Sequence, residues 1–376
     1  MILLNLKLNN ILSFKDFDIN FSYPKKLKKS TVANECLEGL PNFRYKKLNI
    51  ILGANASGKT SLVKCIWKLL SFLSIKERSC IDEIINYNCD NSYIEADIVV
   101  FEKEESGEKK YDLKRVKIYS NNKTKELKMS ISKVDLNSED SYEIRKKDLD
   151  SIKDNYMNYV DCLNLNKISS GWHTVLPATE EGFDLVRFLK LDSDEYTFIL
   201  NQVLKTLDPS ILNVTKSLDT NDAYVIEHEN SGKIIVQNGN FISTIKYLSS
   251  GTKYGINIAN LLYSIKNHLN EIYLIDEQFS YVNSDVEVAI LNTMVSLLGE
   301  DEQIFFTTHN SNILDIKYPF HSFYFMKKEK VENKTIIKSA CASLVENRNN
   351  VVPKTILDND MLATAPDVNM IYELGE

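Results

Sequence analysis

The chain has 376 residues, 45 Lys+Arg against 52 Asp+Glu, and a formal net charge of −7. That length permits a large core and two or three lobes, and the mildly acidic balance argues against nucleic-acid binding by bulk charge while leaving room for a local basic patch. Six cysteines, at 36, 65, 80, 89, 162 and 341, form no C-x-x-C pair, which excludes a zinc site or disulfide framework and points to reduced thiols in a cytoplasmic protein; no apolar run approaches a membrane span.

In chain order, MILLNLKLNNILSF alternates apolar and polar residues without a basic leader and predicts a strand, and DFDINFSY predicts a second. The lysine-rich run from Pro24 to Lys29 reads as a solvated loop in preference to a DNA contact. Residues 51–62, ILGANASGKTSL, carry Gly53-x-x-x-x-Gly58-Lys59-Thr60. KKLNIIL before them suits a buried parallel strand, and Val63, Ile66, Leu70 and Leu73 after them recur at helical spacing. A glycine loop between strand and helix can turn tightly enough to aim successive N–H groups and the helix's positive end at one anion. Lys59 then reaches the β- and γ-phosphates, and the Thr60 hydroxyl binds Mg²⁺. Asn-Lys-x-Asp, the guanine-reading motif, is absent, since NKTK and NKTI lack its Asp, so ATP is the expected ligand.

Further on, SYIEADIVVF alternates Ile94, Ala96, Ile98 and Val100 with polar neighbours, and YDLKRVKIYS and KELKMSIS flank an NNKT turn, predicting antiparallel strands. From about Ile144 to Leu207 the pattern is mainly helical, including FDLVRFLKL and YTFILNQVLKTL; AYVIE and KIIVQN then flank an Asn230-Ser231-Gly232 turn. No heptads are sustained, so no long coiled-coil arm is expected. In KYLSSGTKYG, Ser249 and Gly251 precede the periodic helix YGINIANLLYSI, a second helix start fit for an anion: the γ-phosphate held by another subunit. EIYLIDEQFS is an apolar strand ending in Asp276, placed to hold Mg²⁺, and Glu277, placed to polarise the attacking water. EQIFFTTHN repeats the design and ends in His309, expected on the same sheet edge and at the γ-phosphate. Asp358-Asn359-Asp360 reads as a solvated turn, not a metal-binding pair.

The order of P-loop, LSSGT, LIDE and TTH resembles that of the ABC-class ATPases. LKLNNILSFKDFDINF, DEQ in place of Asp-Glu-Pro, LSSGTK and TAPDVNMIYEL are similar to the stand-alone group that includes RecF, the structural-maintenance-of-chromosomes (SMC) heads and the AAA-type defence ATPases related to OLD. The resemblance implies an α/β fold: an ABC-type P-loop NTPase head with a mixed central sheet flanked by helices, an antiparallel β subdomain and an inserted helical lobe. The implied division is 1–78 for the first part of the head, 79–143 for the β subdomain, 144–215 for the helical lobe and 216–376 for the second part of the head.

By that resemblance, Gly53, Asn55, Ser57, Gly58, Lys59, Thr60 and Ser61 form the P-loop, and Ser249 and Gly251 belong to the signature. Asp276 is the magnesium ligand, Glu277 the catalytic base and His309 the H-loop histidine. Ser280 to Asn283 stands at the D-loop, with Asn where many relatives have Asp or His. The Q-loop glutamine has no counterpart: Gln202 and Gln237 do not follow a strand soon after the P-loop helix, which leaves a polar residue near Asp90 to Glu95, or a different coupling. The implied function is an ATPase using ATP and Mg²⁺ that forms a homodimer, or an assembly of dimers, around nucleotide. It would switch a separate effector, a toxin or nuclease, in antiphage defence, with DNA or RNA as a further candidate partner. The stretch after His309 is too short for a Toprim nuclease. The alternative is a RecF- or SMC-like ATPase of DNA repair or chromosome maintenance; a transporter subunit fits poorly, given the long insertion between Thr60 and Leu248.

Overall fold

The structure, a computed structural model, describes residues 1–23, 30–103, 109–166, 168, 171–175, 194–217, 220, 223–230, 232–237, 240–241, 250–277, 279, 282–329, 334–339 and 354. The chain opens with β1 (Ile2–Asn9), β2 (Phe17–Asn20), β3 (Cys36–Leu37), β4 (Leu40–Arg44) and β5 (Leu48–Gly53). Helices α1 (Lys59–Ile75) and α2 (Arg78–Asp82) lead to β6 (Asn91–Lys103), β7 (Lys109–Asn121) and β8 (Glu126–Asp135). Next come α3 (Tyr142–Ser151), β9 (Met157–Asn158), α4 (Tyr159–Asn166), β10 (Trp172–Val175) and α5 (Asp194–Leu207). A meander follows: β11 (Ile211–Lys216), β12 (Ala223–His228), β13 (Gly232–Gln237) and β14 (Asn240–Phe241). The last elements are α6 (Ser250–Lys266), β15 (Ile272–Asp276), α7 (Ser284–Leu297), β16 (Gln303–Thr308), β17 (Phe323–Glu329) and β18 (Lys334–Ser339).

The chain divides into two compact units, one of Met1–Trp172, Glu271–Leu274 and Glu300–Glu376, the other of His173–Asn270 and Ile275–Gly299. In the first unit the antiparallel sheet runs β2-β1-β6-β7-β8-β9, with Ile94, Ala96, Ile98 and Val100 on its buried side as the alternation predicts. The second sheet runs β10-β15-β16-β5-β17-β18; β5 lies parallel to both β16 and β17, while β18 returns antiparallel. LNIIL and QIFFTT are buried along their whole length, which is why they are continuous apolar runs and not alternating ones. The fold is a mixed α/β one with a parallel central sheet.

Two buried polar groups fasten this unit. Gln303, at the start of β16, accepts from Leu3 N–H (3.0 Å) and donates to the Leu3 carbonyl (3.0 Å) and the Lys46 carbonyl (3.1 Å). It thereby satisfies β1 where its register slips between Leu3 and Asn5, and ties that strand to the start of β5. Asp97 of β6, fully buried, accepts two hydrogen bonds from Arg115 (2.7 and 2.8 Å) and one from the Tyr142 hydroxyl (2.7 Å), docking α3 on the sheet. Burial and the Asp97 charge together push the Tyr142 phenol well above its ordinary range.

In the second unit α5 buries Tyr196, Leu200, Val203 and Leu204, and α6 buries Ile258, Leu261 and Ile265. The helices approach closely at Gly255, where a Cβ would stand 2.6 Å from Leu204 Cδ2 and 2.8 Å from Leu207 Cδ1. Tyr196 donates to Asn260 Oδ1 at 2.6 Å. β10 was not foreseen: WHTV is too short to declare a period within a stretch otherwise read as helical. FDLVRFLKL lies outside the described residues, as does the Pro24–Lys29 run. Cys36, Cys65, Cys80, Cys89 and Cys162 are free thiols, and among the described residues no helix is long and apolar enough to cross a membrane.

Two outcomes follow for stability. Asp97→Ala, which takes two buried hydrogen bonds from the Arg115 guanidinium and leaves it the half-exposed Asp150, lowers unfolding free energy by about 3 kcal/mol in urea titrations, and Tyr142→Phe by about 1 kcal/mol. Burial lowers the His173 imidazole from 6.5 to about 4. Between those values the unfolded chain binds a proton that the folded chain refuses, so stability is whole above pH 6.5 and is lost as pH falls toward 4, by on the order of 3 kcal/mol. His173→Gln flattens that acid limb of the urea midpoint plotted against pH.

Candidate functional site

The glycine loop is shaped by crowding. A Cβ on Gly53 would lie 2.5 Å from the Met326 carbonyl oxygen of β17 and 2.6 Å from Ser57 Oγ, so only glycine fits where β5 becomes the loop. The chain then passes through Ala56 at φ 61 and Gly58 at φ 103, both left-handed, and enters α1. That helix start has no side-chain cap and no acidic residue in its first turn, so its leading N–H groups and positive dipole end are left for an anion. Ser57 Oγ is buried with no hydrogen-bond partner among the described residues. These features fit a bound polyphosphate.

Lys59, 3% exposed, bends back over the loop. Its Nζ donates to the carbonyls of Gly53 (2.9 Å) and Ala54 (3.2 Å) and stands 3.4 Å from His309 Nδ1. His309 reaches this place because β16 runs parallel to β5 with Thr308 opposite Leu52, so the next residue emerges at the mouth of the loop. Predicted residues 250 positions apart are thus brought together. Asn55 and Thr60 are exposed on the loop and the first turn of α1, and Ser61 is half-buried beside them.

The acidic pair belongs to the other unit. Asp276 is the fully buried last residue of β15, and Glu277 follows at φ 43, a left-handed backbone that a glutamate seldom adopts. Ser249 lies outside the described residues, and Gly251 falls in the first turn of α6, whose first side chains are also outside them. Of the D-loop stretch, Ser280 and Tyr281 are outside. Asn283 caps α7, its side chain accepting from Asp285 N–H at 2.8 Å, a structural reason for Asn at that position.

The Q-loop alternatives narrow. Asp90 is an exposed partner of Lys123, and Glu95 is consumed by the antiparallel sheet. Its burial would raise the carboxyl, but hydrogen bonds from Lys7 and Tyr93 outweigh that and hold it below the ordinary range. Gln202 sits within α5 and Gln237 ends β13. The sheet order places β10 beside β15, and this strand, overlooked in the sequence, is what brings the chain past the acidic strand.

A family model described as an AAA domain matches residues 5–223, more than half of the chain. The chain belongs to the AAA-domain family. It is an ATP-binding P-loop ATPase, and the match spans the cradle but ends before Asp276 and His309. No curated protein matches it. Similar solved structures include an SMC head domain from Thermotoga maritima (14% identity, TM-score 0.43, covering 90% of this chain and 99% of that one). An SmcHead bound to the C-winged helix domain of ScpA is 12% identical, with TM-score 0.46 over 90% and 98% of the two chains. The recombination mediator RecF of the RecFOR pathway is 11% identical, with TM-score 0.42 over 89% and 98%. At such scores nothing about activity or partners transfers.

Gly53→Ala forces apart β17 and the loop. ATP affinity, read by calorimetry, falls at least 10-fold, whereas Gly39→Ala, whose Cβ meets nothing within 4 Å, leaves it unchanged despite its own φ of 73.

Proposed function

We propose that this AAA-domain protein is an ATP-hydrolysing switch of the ABC class, in which two copies close head to tail around nucleotide. The observation that supports this reading is Lys59 held at the loop carbonyls within 3.4 Å of His309, a lysine and a histidine side by side at an uncapped helix start. Gly53, Asn55, Ser57, Gly58 and Ser61 supply the loop, Lys59 draws the β- and γ-phosphates, and Thr60 and Asp276 hold Mg²⁺. The ion, when bound, neutralises charge on the β- and γ-oxygens. Glu277 orients and deprotonates the attacking water, and His309 holds the γ-phosphate. Ser249 and Gly251 of a second copy cap the same phosphate, making ATP the glue and hydrolysis the release.

The cellular role we favour is the RecF- or SMC-like one, in DNA repair or chromosome maintenance, which the AAA-domain match accommodates. The defence reading, with a separate toxin or nuclease as effector, is supported by LSSGTK and TAPDVNMIYEL, sequences that lie mostly outside the described residues. Duplex DNA separates them: stimulated ATP turnover belongs to the first reading, and unaltered turnover with a co-purifying effector to the second.

Glu277→Gln slows phosphate release about 100-fold or more and leaves an ATP-bound dimer stable in light scattering. Turnover at the wild-type rate overturns the base assignment. Ser249→Arg abolishes turnover while sparing ATP binding to the single copy; full activity in that variant removes the shared site.

A further inference from the structure

A lysine ammonium carries three protons and accepts nothing. Around Lys59 stand three acceptors: the Gly53 carbonyl at 2.9 Å, the Ala54 carbonyl at 3.2 Å and His309 Nδ1 at 3.4 Å. Because the ammonium can only donate, Nδ1 is the accepting nitrogen of the ring, and a histidine that accepts at Nδ1 carries its proton on Nε2. Lys59 is buried, whereas His309 is exposed at the mouth of the loop. The backbone on the far side of the histidine is held by two short turns: Asn310 N–H donates to Thr308 Oγ1 at 2.9 Å, and Asn312 N–H to Asn310 Oδ1 at 3.0 Å. A turn about the His309 side-chain torsions, for which its exposure leaves room, therefore takes the ring off Lys59 without moving β16. Lysine, loop and histidine all belong to the first unit.

We propose that His309 sets the preference for a triphosphate over a diphosphate by competing with phosphate for the Lys59 ammonium. This rests on the reading of the loop as a nucleotide cradle, and it gives the histidine a task that contact with the γ-phosphate alone does not. A phosphate oxygen that takes a Lys59 proton must displace one of the three acceptors. Two of them are backbone carbonyls of a loop that Met326 and Ser57 crowd at Gly53, so the histidine is the one able to leave. Its long contact with the ammonium is then exchanged for a charge-assisted bond to phosphate. With ATP the departing ring regains a partner, because its Nε2–H can donate to the γ-phosphate, and every group that lost a bond has a new one. ADP takes the lysine and returns only water to the ring. Exposure of His309 limits that loss, so the effect is a matter of a few-fold in affinity. Removing the ring acts oppositely on the two nucleotides: ADP gains, since its competitor is gone, and ATP does not, since the γ contact goes with it.

The test is calorimetric affinity of the full chain for ADP and for the non-hydrolysable β,γ-imido analogue of ATP, both with Mg²⁺. In His309→Ala, ADP binds about 3-fold to 5-fold tighter and the analogue no tighter, so the preference for triphosphate shrinks by at least that factor. His309→Leu, which fills the space without a polar acceptor, repeats the gain for ADP and separates the lost acceptor from lost packing. His309→Gln, which restores an acceptor on a side chain of similar reach, reverses most of that gain. A histidine that only senses the γ-phosphate leaves ADP affinity unchanged in all three variants, and that result overturns the proposal; so does weaker ADP binding in His309→Ala and His309→Leu alike. Wild-type protein that binds neither nucleotide removes the cradle itself. Wild-type protein that binds both, with ADP indifferent to position 309, removes this proposal alone.

Discussion

No side chain fits at Gly53, and the site follows from that constraint. β17 must lie close enough for its Met326 carbonyl to crowd the Gly53 Cα, and Ser57 must fold back over the same atom. Together they hold the loop tight, and within it Ser57 N–H donates to the Ala54 carbonyl at 3.2 Å. The parallel register of β16 on the other side of β5 then determines where His309 emerges. Three strands held by backbone bonding therefore position the lysine and the histidine without any direct contact having to be specified in the sequence. This is the advantage of building a phosphate site on a buried parallel sheet, whose strands cannot slide without burying unpaired amides.

The antiparallel sheet is held by polar groups where the central sheet is held by apolar ones. Gln303 completes the backbone pairing of β1 at its register slip, and Asp97 binds Arg115 and Tyr142 so that α3 covers one end of the outer face. Such buried polar bonds add little net energy when made, but removing one partner leaves a desolvated donor or charge. They thus select one register and one helix position over near alternatives.

Much of the site was legible because its residues follow local rules. Gly53, Gly58, Lys59 and Thr60 announce a loop between strand and helix, and LNIIL and QIFFTT announce buried strands whose carboxyl ends share one edge. What could not be read was pairing between distant segments. WHTV gave too short a run to show a period, yet β10 takes the place beside β15. Glu95 ended the stretch offered in place of the Q-loop glutamine, but cross-strand pairing with Lys7 and Lys117 assigns it to the sheet. Asn283 looked like a departure from the D-loop pattern, and the α7 cap accounts for it through a bond only two residues long.

Backbone strain connects the two halves of the proposed chemistry. Ala56 at φ 61 and Glu277 at φ 43 each hold a left-handed conformation that costs an L-residue about 1 kcal/mol or more. Glycine at position 56 would relieve that cost, but it would also widen the conformations open to the loop before nucleotide arrives. Alanine instead narrows them, so the cradle is shaped in advance and binding need not order it. At Glu277 the turn directly after a buried strand redirects the carboxylate away from the path that a regular extension of β15 would give it. A base aimed by a strained turn can be re-aimed by a small change in that turn, and closure of a second copy over the nucleotide is the event that would supply the change.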